Sequence, residues 1–95
     1  PKVFLAHLGE AAKKKGLILF EKLLKEGILT AESFSKESLK TQLKTAAKLK
    51  VRFALILGQQ EVLNNKIILR DMGTSSQEEI SIDKVIQELK KKLRK

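Results

Sequence analysis

The chain has 95 residues, 42% of them apolar, and a formal charge of +9: enough for one domain on one core, and too apolar for a disordered tail. It has no cysteine, which excludes disulfides, thiolate metal sites and thiol catalysis and fits a reducing compartment. No apolar run approaches a membrane span, so no membrane partner is expected, and the basic excess points to a polyanion: RNA, DNA or an acidic surface.

Residues 3–6, Val-Phe-Leu-Ala, form an apolar run suited to a strand covered on both faces. Gly9 breaks it, and Glu10 places negative charge where a helix dipole favours it. A helix is expected over residues 10–26, with Ala12, Gly16, Phe20, Leu23 and Leu24 inward, Lys22 and Lys25 in its last turns and Gly27 as its stop. Residues 28–31 read as a second, weaker strand.

Residues 36–49 read as the second helix, with Ser35 as its N-cap. Lys36, Lys40, Lys44 and Lys48 recur every four residues, beside Leu39, Leu43, Ala46 and Ala47. Four-residue spacing keeps the lysines on one face, and their offset predicts that they flank the buried stripe. The row is about 18 Å long at ~1.5 Å per residue, a match for several phosphates. A solvated face that keeps a small domain soluble accounts for the same row.

Residues 52–57, Arg-Phe-Ala-Leu-Ile-Leu, form the most hydrophobic strand and should be central. Gly58 ends it. Residues 59–63 fit one helical turn, Asn64-Asn65 a turn, residues 66–71 a fourth strand, residues 73–76 a loop and residues 78–80 a short edge strand. Ser81 is placed to cap a final helix over residues 82–93, lined by Val85, Ile86, Leu89 and Leu93, while the basic end, residues 90–95, should fray. Strand–helix–strand–helix–strand requires parallel crossovers, and the rest adds a hairpin. The expectation is one three-layer α/β/α domain over residues 1–95, with a mixed sheet of about five strands and three helices.

Catalysis has little to work with. His7, the sole histidine, stands near where α/β sheets place ligands, but no carboxylate or nucleophile matches it, and a surface position is expected. No glycine-rich phosphate loop and no metal-ligand spacing is present, so neither catalytic nor metal-binding residues are expected. Among the cations only Arg52, Arg70 and Arg94 are arginine, and lysine point charges suit phosphate better than base edges. Four Phe with no Tyr or Trp argue against stacking as the main mode of recognition. Glu61 and Arg70 stand apart: a carboxylate accepts from a base amino group, and a guanidinium donates to a base's O6/N7 edge. With Lys36 they can form a small reader, or they can pair with each other across the hairpin, an exposed contact contributing about 0–1 kcal/mol.

Ala6-His-Leu-Gly-Glu10, Gly27-Ile28, Ser38-Leu-Lys-Thr-Gln-Leu43, Arg52-Phe53, Gly58-Gln-Gln-Glu61 and Ile67-Ile-Leu-Arg-Asp71 follow one another across nearly the whole chain. Their order and spacing resemble the C-terminal anticodon-binding domain of class II aminoacyl-tRNA synthetases, and the Ser-Leu-Lys-x-Gln-Leu helix is most similar to the histidyl group. The resemblance implies a five-stranded mixed sheet that grips a tRNA anticodon loop, that of tRNA-His for the histidyl group. It implies a separate N-terminal catalytic domain that charges the tRNA with ATP and Mg, in a cytoplasmic, homodimeric parent; the domain itself needs no cofactor. It also implies base contacts at Glu61 and Arg70, a further contact at Lys36, and RNA contacts at Lys40 and Gln42, to which the lysine row adds Lys44. The start at Pro1 without Met fits a portion of something longer.

There are departures. Relatives often have Gly-Glu-Asp-Glu at Gly58–Glu61, Asp at Ala47 and Lys at Thr41. These keep open a threonyl, prolyl or glycyl counterpart, or a regulatory or protein-docking relative of the same fold.

Overall fold

The computed structural model describes residues 2–32 and 38–94. Its central strand is β3 (Phe53–Leu57), buried at every residue. On one side β3 pairs in parallel with β1 (Val3–His7), and on the other antiparallel with β4 (Lys66–Asp71). β2 (Thr30–Glu32) continues the sheet in parallel beyond β1, and β5 (Gln77–Ser81) antiparallel beyond β4. The order is β2-β1-β3-β4-β5. An apolar run such as 53–57 has no face to offer water, which puts it in the middle.

Helices cover the two faces unequally. On one face α1 (Glu10–Lys25) and α4 (Val85–Leu93) place Ala12, Leu19, Leu23, Val85 and Leu89 on Val3, Leu5, Leu55, Leu57, Ile67 and Leu69. On the other face α2 (Leu39–Lys48) packs Ala46, with Leu39 and Leu43, against Phe4, Ala6 and Ile56. The turn expected after Gly58 is a helix of its own, α3 (Gln59–Leu63), so the described residues form four α-helices rather than three. The last helix opens with a 3-10 turn, Ile82–Lys84, and Ser81 caps it as expected, its Oγ accepting from the Asp83 N–H. Among the described residues no helix is long and apolar enough to cross a membrane.

Two boundaries differ from the sequence reading. The buried stripe of α1 is Ala12, Gly16, Leu19 and Leu23; Phe20 packs at its margin and Leu24 is 44% exposed. Spacing of 4-3-4 holds one stripe, and Leu24 lies about 100° beyond it. At the end of α1 Gly27 adopts φ 78, and the Ile28 N–H bonds the Leu23 carbonyl. This six-to-one closure, with an apolar residue after the glycine, is the usual left-handed helix stop. It uses up Ile28, so β2 starts at Thr30 rather than at residue 28.

Candidate nucleic-acid interface

α2 starts at Ser38, whose Oγ accepts from the Thr41 N–H at 3.2 Å. Ser35 and Lys36, expected as cap and first residue, lie outside the described residues. Ser38→Ala should cost about 1 kcal/mol of stability in a urea titration; an unchanged midpoint would mean that this hydroxyl caps nothing. From this start Gln42 and Ala46 are the residues α2 buries against the sheet. Lys40, Lys44 and Lys48 are exposed and lie about 180° around the helix from that stripe. They oppose the buried face rather than flank it, and Ala47, expected inside, is exposed. The reason is that Gln42, not Leu43, sits in the middle of the buried stripe. Three ammonium groups thus project over roughly 12 Å, and none is in an ion pair among the described residues.

Beside α2 the same sheet face is open. Residues two apart on a strand share a face. Ile56 and Ile68 belong to the cluster under α2, so Ala54, Lys66 and Arg70 face the same way. Across β4 and β5, Lys66 pairs with Ser81, Ile68 with Glu79 and Arg70 with Gln77. α2 packs over β1, which leaves Ile68 and Arg70 half-exposed and Gln77 and Glu79 exposed. Ala47 and Met72 line a cleft with Lys50, Arg52 and Asp71, so the flank of α2 that carries Ala47 borders this strip. Arg70 Nη1 donates to Gln77 Oε1 at 2.9 Å. A cationic rim, a partly apolar floor and a held guanidinium can take phosphates on the rim and a base on the floor.

Glu61 and Arg70 do not converge. Glu61 is the third residue of α3, and its Oε1 accepts from the Gly58 N–H at 2.9 Å, closing the helix start. Gly58 leaves space for that oxygen, since a Cβ there would meet it at 2.7 Å. α3 stands past the end of β3, whereas Arg70 pairs with Ala54 near its start. At ~3.3 Å per strand residue they are roughly 10 Å or more apart along the hairpin. The ion pair is not formed, and the two residues do not share one base edge.

The residue-level reading missed a buried polar cluster. His7, expected at the surface without a carboxylate, is 8% exposed, and its Nε2 lies 3.9 Å from Glu32 Oε2. Leu5 and Glu32 are register partners, so His7 and Glu32 share the face covered by α1. Among the described residues neither buried carboxylate oxygen of Glu32 has a hydrogen-bond partner. Burial pushes the Glu32 pKa up, and the positive charges of His7 and Lys13 pull it partly back. Gln42, which the resemblance placed among the RNA contacts, is fully buried. Its Oε1 accepts from the His7 N–H at 3.0 Å and its Nε2 donates to the His7 carbonyl at 2.9 Å. A group with no surface to offer cannot touch RNA, so Gln42 supports the strand instead. No local signal marked it, since a glutamine in a lysine-rich helix ordinarily faces water.

Residues 2–92 match the anticodon binding domain family. The chain is 40% identical to a histidine–tRNA ligase of Syntrophotalea carbinolica over 94 residues, which is 99% of this chain and 22% of that protein. Among solved structures it superposes on histidyl-tRNA synthetase from Nostoc sp. PCC 7120 with a TM-score of 0.89, at 25% identity over 97% of this chain and 22% of that one. On the S. aureus histidyl-tRNA synthetase the TM-score is 0.85, at 29% identity over 90% of this chain and 25% of that one. The chain spans between a fifth and a quarter of these relatives. Its mixed sheet, its open strip beside a lysine-bearing helix and the match over residues 2–92 agree: the chain belongs to the anticodon binding domain family.

Proposed function

We propose that the chain holds the anticodon loop of a tRNA, tRNA-His in particular, as the C-terminal domain of a longer histidine–tRNA ligase. The observation that carries this reading is the open strip at Ile68 and Arg70 beside the exposed Lys40 and Lys44, which form no ion pair among the described residues. The loop's phosphates run along that rim, Lys36 is a further contact, and a base reaches Arg70. Glu61 gives one oxygen to Gly58 and keeps the other for the amino group of a different nucleotide. Gln42 acts beneath the surface. In this reading the longer protein joins histidine to its tRNA with ATP and Mg in a separate catalytic domain, as a cytoplasmic homodimer. The histidine specificity draws its support from the relatives' names.

Titration of the chain with a histidine anticodon hairpin and with a scrambled RNA of equal length tests the reading. Lys44→Ala should weaken both RNAs alike and lower the salt slope by about 1. Arg70→Ala should reduce discrimination between them by about 1–3 kcal/mol. A chain that binds both RNAs equally, and in which Arg70→Ala changes nothing, is a protein-docking module.

A further inference from the structure

Arg70 is held by a neutral partner. Arginine carries only N–H donors, so the Gln77 atom 2.9 Å from Nη1 has to be the carboxamide oxygen. That turns the Gln77 NH2 group away from Arg70. The two residues are direct partners in the β4–β5 ladder and stand on the open face. Together they offer guanidinium and amide N–H groups to whatever lies above, while the amide oxygen faces the guanidinium.

Among the described residues no acid forms an ion pair with this spot. Glu78 pairs with Leu69 on the opposite face and lies 3.9 Å from Lys92. Asp71 gives Oδ1 to the Gly73 and Thr74 N–H groups. Glu79 shares the face one ladder step away, beside Ile68, and among the described residues forms no ion pair with Arg70. The site is a positively charged set of donors beside an apolar patch.

We propose that the Arg70–Gln77 pair reads a base edge made only of acceptors, the N7 and O6 of a guanine, with Gln77 as the positioning residue that fixes the plane of the guanidinium. Adenine sets an amino donor beside N7, and cytosine presents an amino donor; both put donor against donor. Uracil has one acceptor on that edge and cannot engage both N–H groups of the fork. The inference rests on the anticodon-loop reading and deepens it.

The test titrates the chain with anticodon hairpins in which each loop guanine is replaced in turn by inosine, 7-deazaguanine or adenine. At one position inosine, which keeps N7 and O6, should bind like guanine, while 7-deazaguanine and adenine weaken binding about tenfold. Gln77→Met keeps the length and loses the acceptor. It should remove most of that discrimination with no change in salt slope or melting temperature, and add nothing in an Arg70→Ala background. Gln77→Glu should restore the preference for guanine while weakening all RNAs, because it adds negative charge. If Arg70→Ala abolishes discrimination and Gln77→Met leaves it whole, the positioning role is wrong. If adenine is tolerated wherever Arg70 matters, the acceptor-edge assignment is wrong. If Arg70→Ala has no effect on discrimination, the anticodon reading and this inference fall together.

Discussion

Gln42→Leu is expected to lower the melting temperature by about 10–20 °C, a loss of roughly 2–4 kcal/mol. The cause lies at His7. Among the described residues β2 reaches Glu32, opposite Leu5, while β1 runs on to His7. The Gln42 carboxamide bonds both the N–H and the carbonyl of His7, as a neighbouring peptide would. Leucine fills a similar volume and removes both bonds. A buried N–H and a buried carbonyl are then stranded, each at a cost of about 1–3 kcal/mol. Gln42→Glu is the informative companion. Its ionised carboxylate would face the His7 carbonyl, whereas the protonated acid can donate to it. The folded state therefore holds that proton more tightly than the unfolded chain, so the variant should be stable in acid and lose stability as pH rises. Thermal melts followed by circular dichroism decide the matter. A shift of less than about 3 °C for Gln42→Leu would sink this account, since even one stranded group costs more than that.

The second large effect has the opposite sign. Glu32→Met should stabilise the chain by about 1–3 kcal/mol at pH 8 and change little at pH 4. Among the described residues the buried Glu32 oxygens find no hydrogen-bond partner, and burial raises the pKa. The folded chain thus binds this proton more tightly than the unfolded one. Its favourable contribution is complete below the unfolded value, about 4.3, and is lost as pH rises through the higher folded value. Methionine carries no charge to bury at any pH. Other carboxylates titrate in both proteins, so the quantity to measure is the difference between their urea midpoints across pH. A difference that stays flat, or shrinks as pH rises, contradicts the buried carboxylate.

Much of the architecture could be read along the chain. Residues 53–57 are apolar throughout and end at Gly58, and they form the middle strand. On β4, Ile67 and Leu69 go into the core while Ile68 and Arg70 face the other way, so alternation alone marked Arg70 as available. Ser81 lay one residue before the expected final helix and caps it. The glutamate three residues after Gly58 follows the spacing of a helix-start contact, so the role of Glu61 at Gly58 was within reach of a local reading.

Other features were not legible. Ser35 and Ser38 both suit a helix start, and spacing does not choose between them. Gln42 lies between Thr41 and Leu43 in a lysine-rich helix, where glutamine ordinarily faces water. Its burial depends on the backbone N–H and carbonyl of His7, distant along the chain, and not on anything in α2. Glu61 and Arg70 are nine residues apart and looked like partners; the antiparallel register sends them to opposite ends of the hairpin.

Strand runs, helix stops, net charge and the alternation that exposes Arg70 all arise from neighbours along the chain, where backbone preference and side-chain period act, and they were settled before any packing. The rotation of α2, which aims its lysines straight outward, and the burial of Gln42 and Glu32 were settled by packing. Each depends on which groups the folded chain brings together and what covers them, across separations such as the 35 residues between His7 and Gln42. Desolvation acts on groups that meet only after the chain has folded, so no local pattern records it.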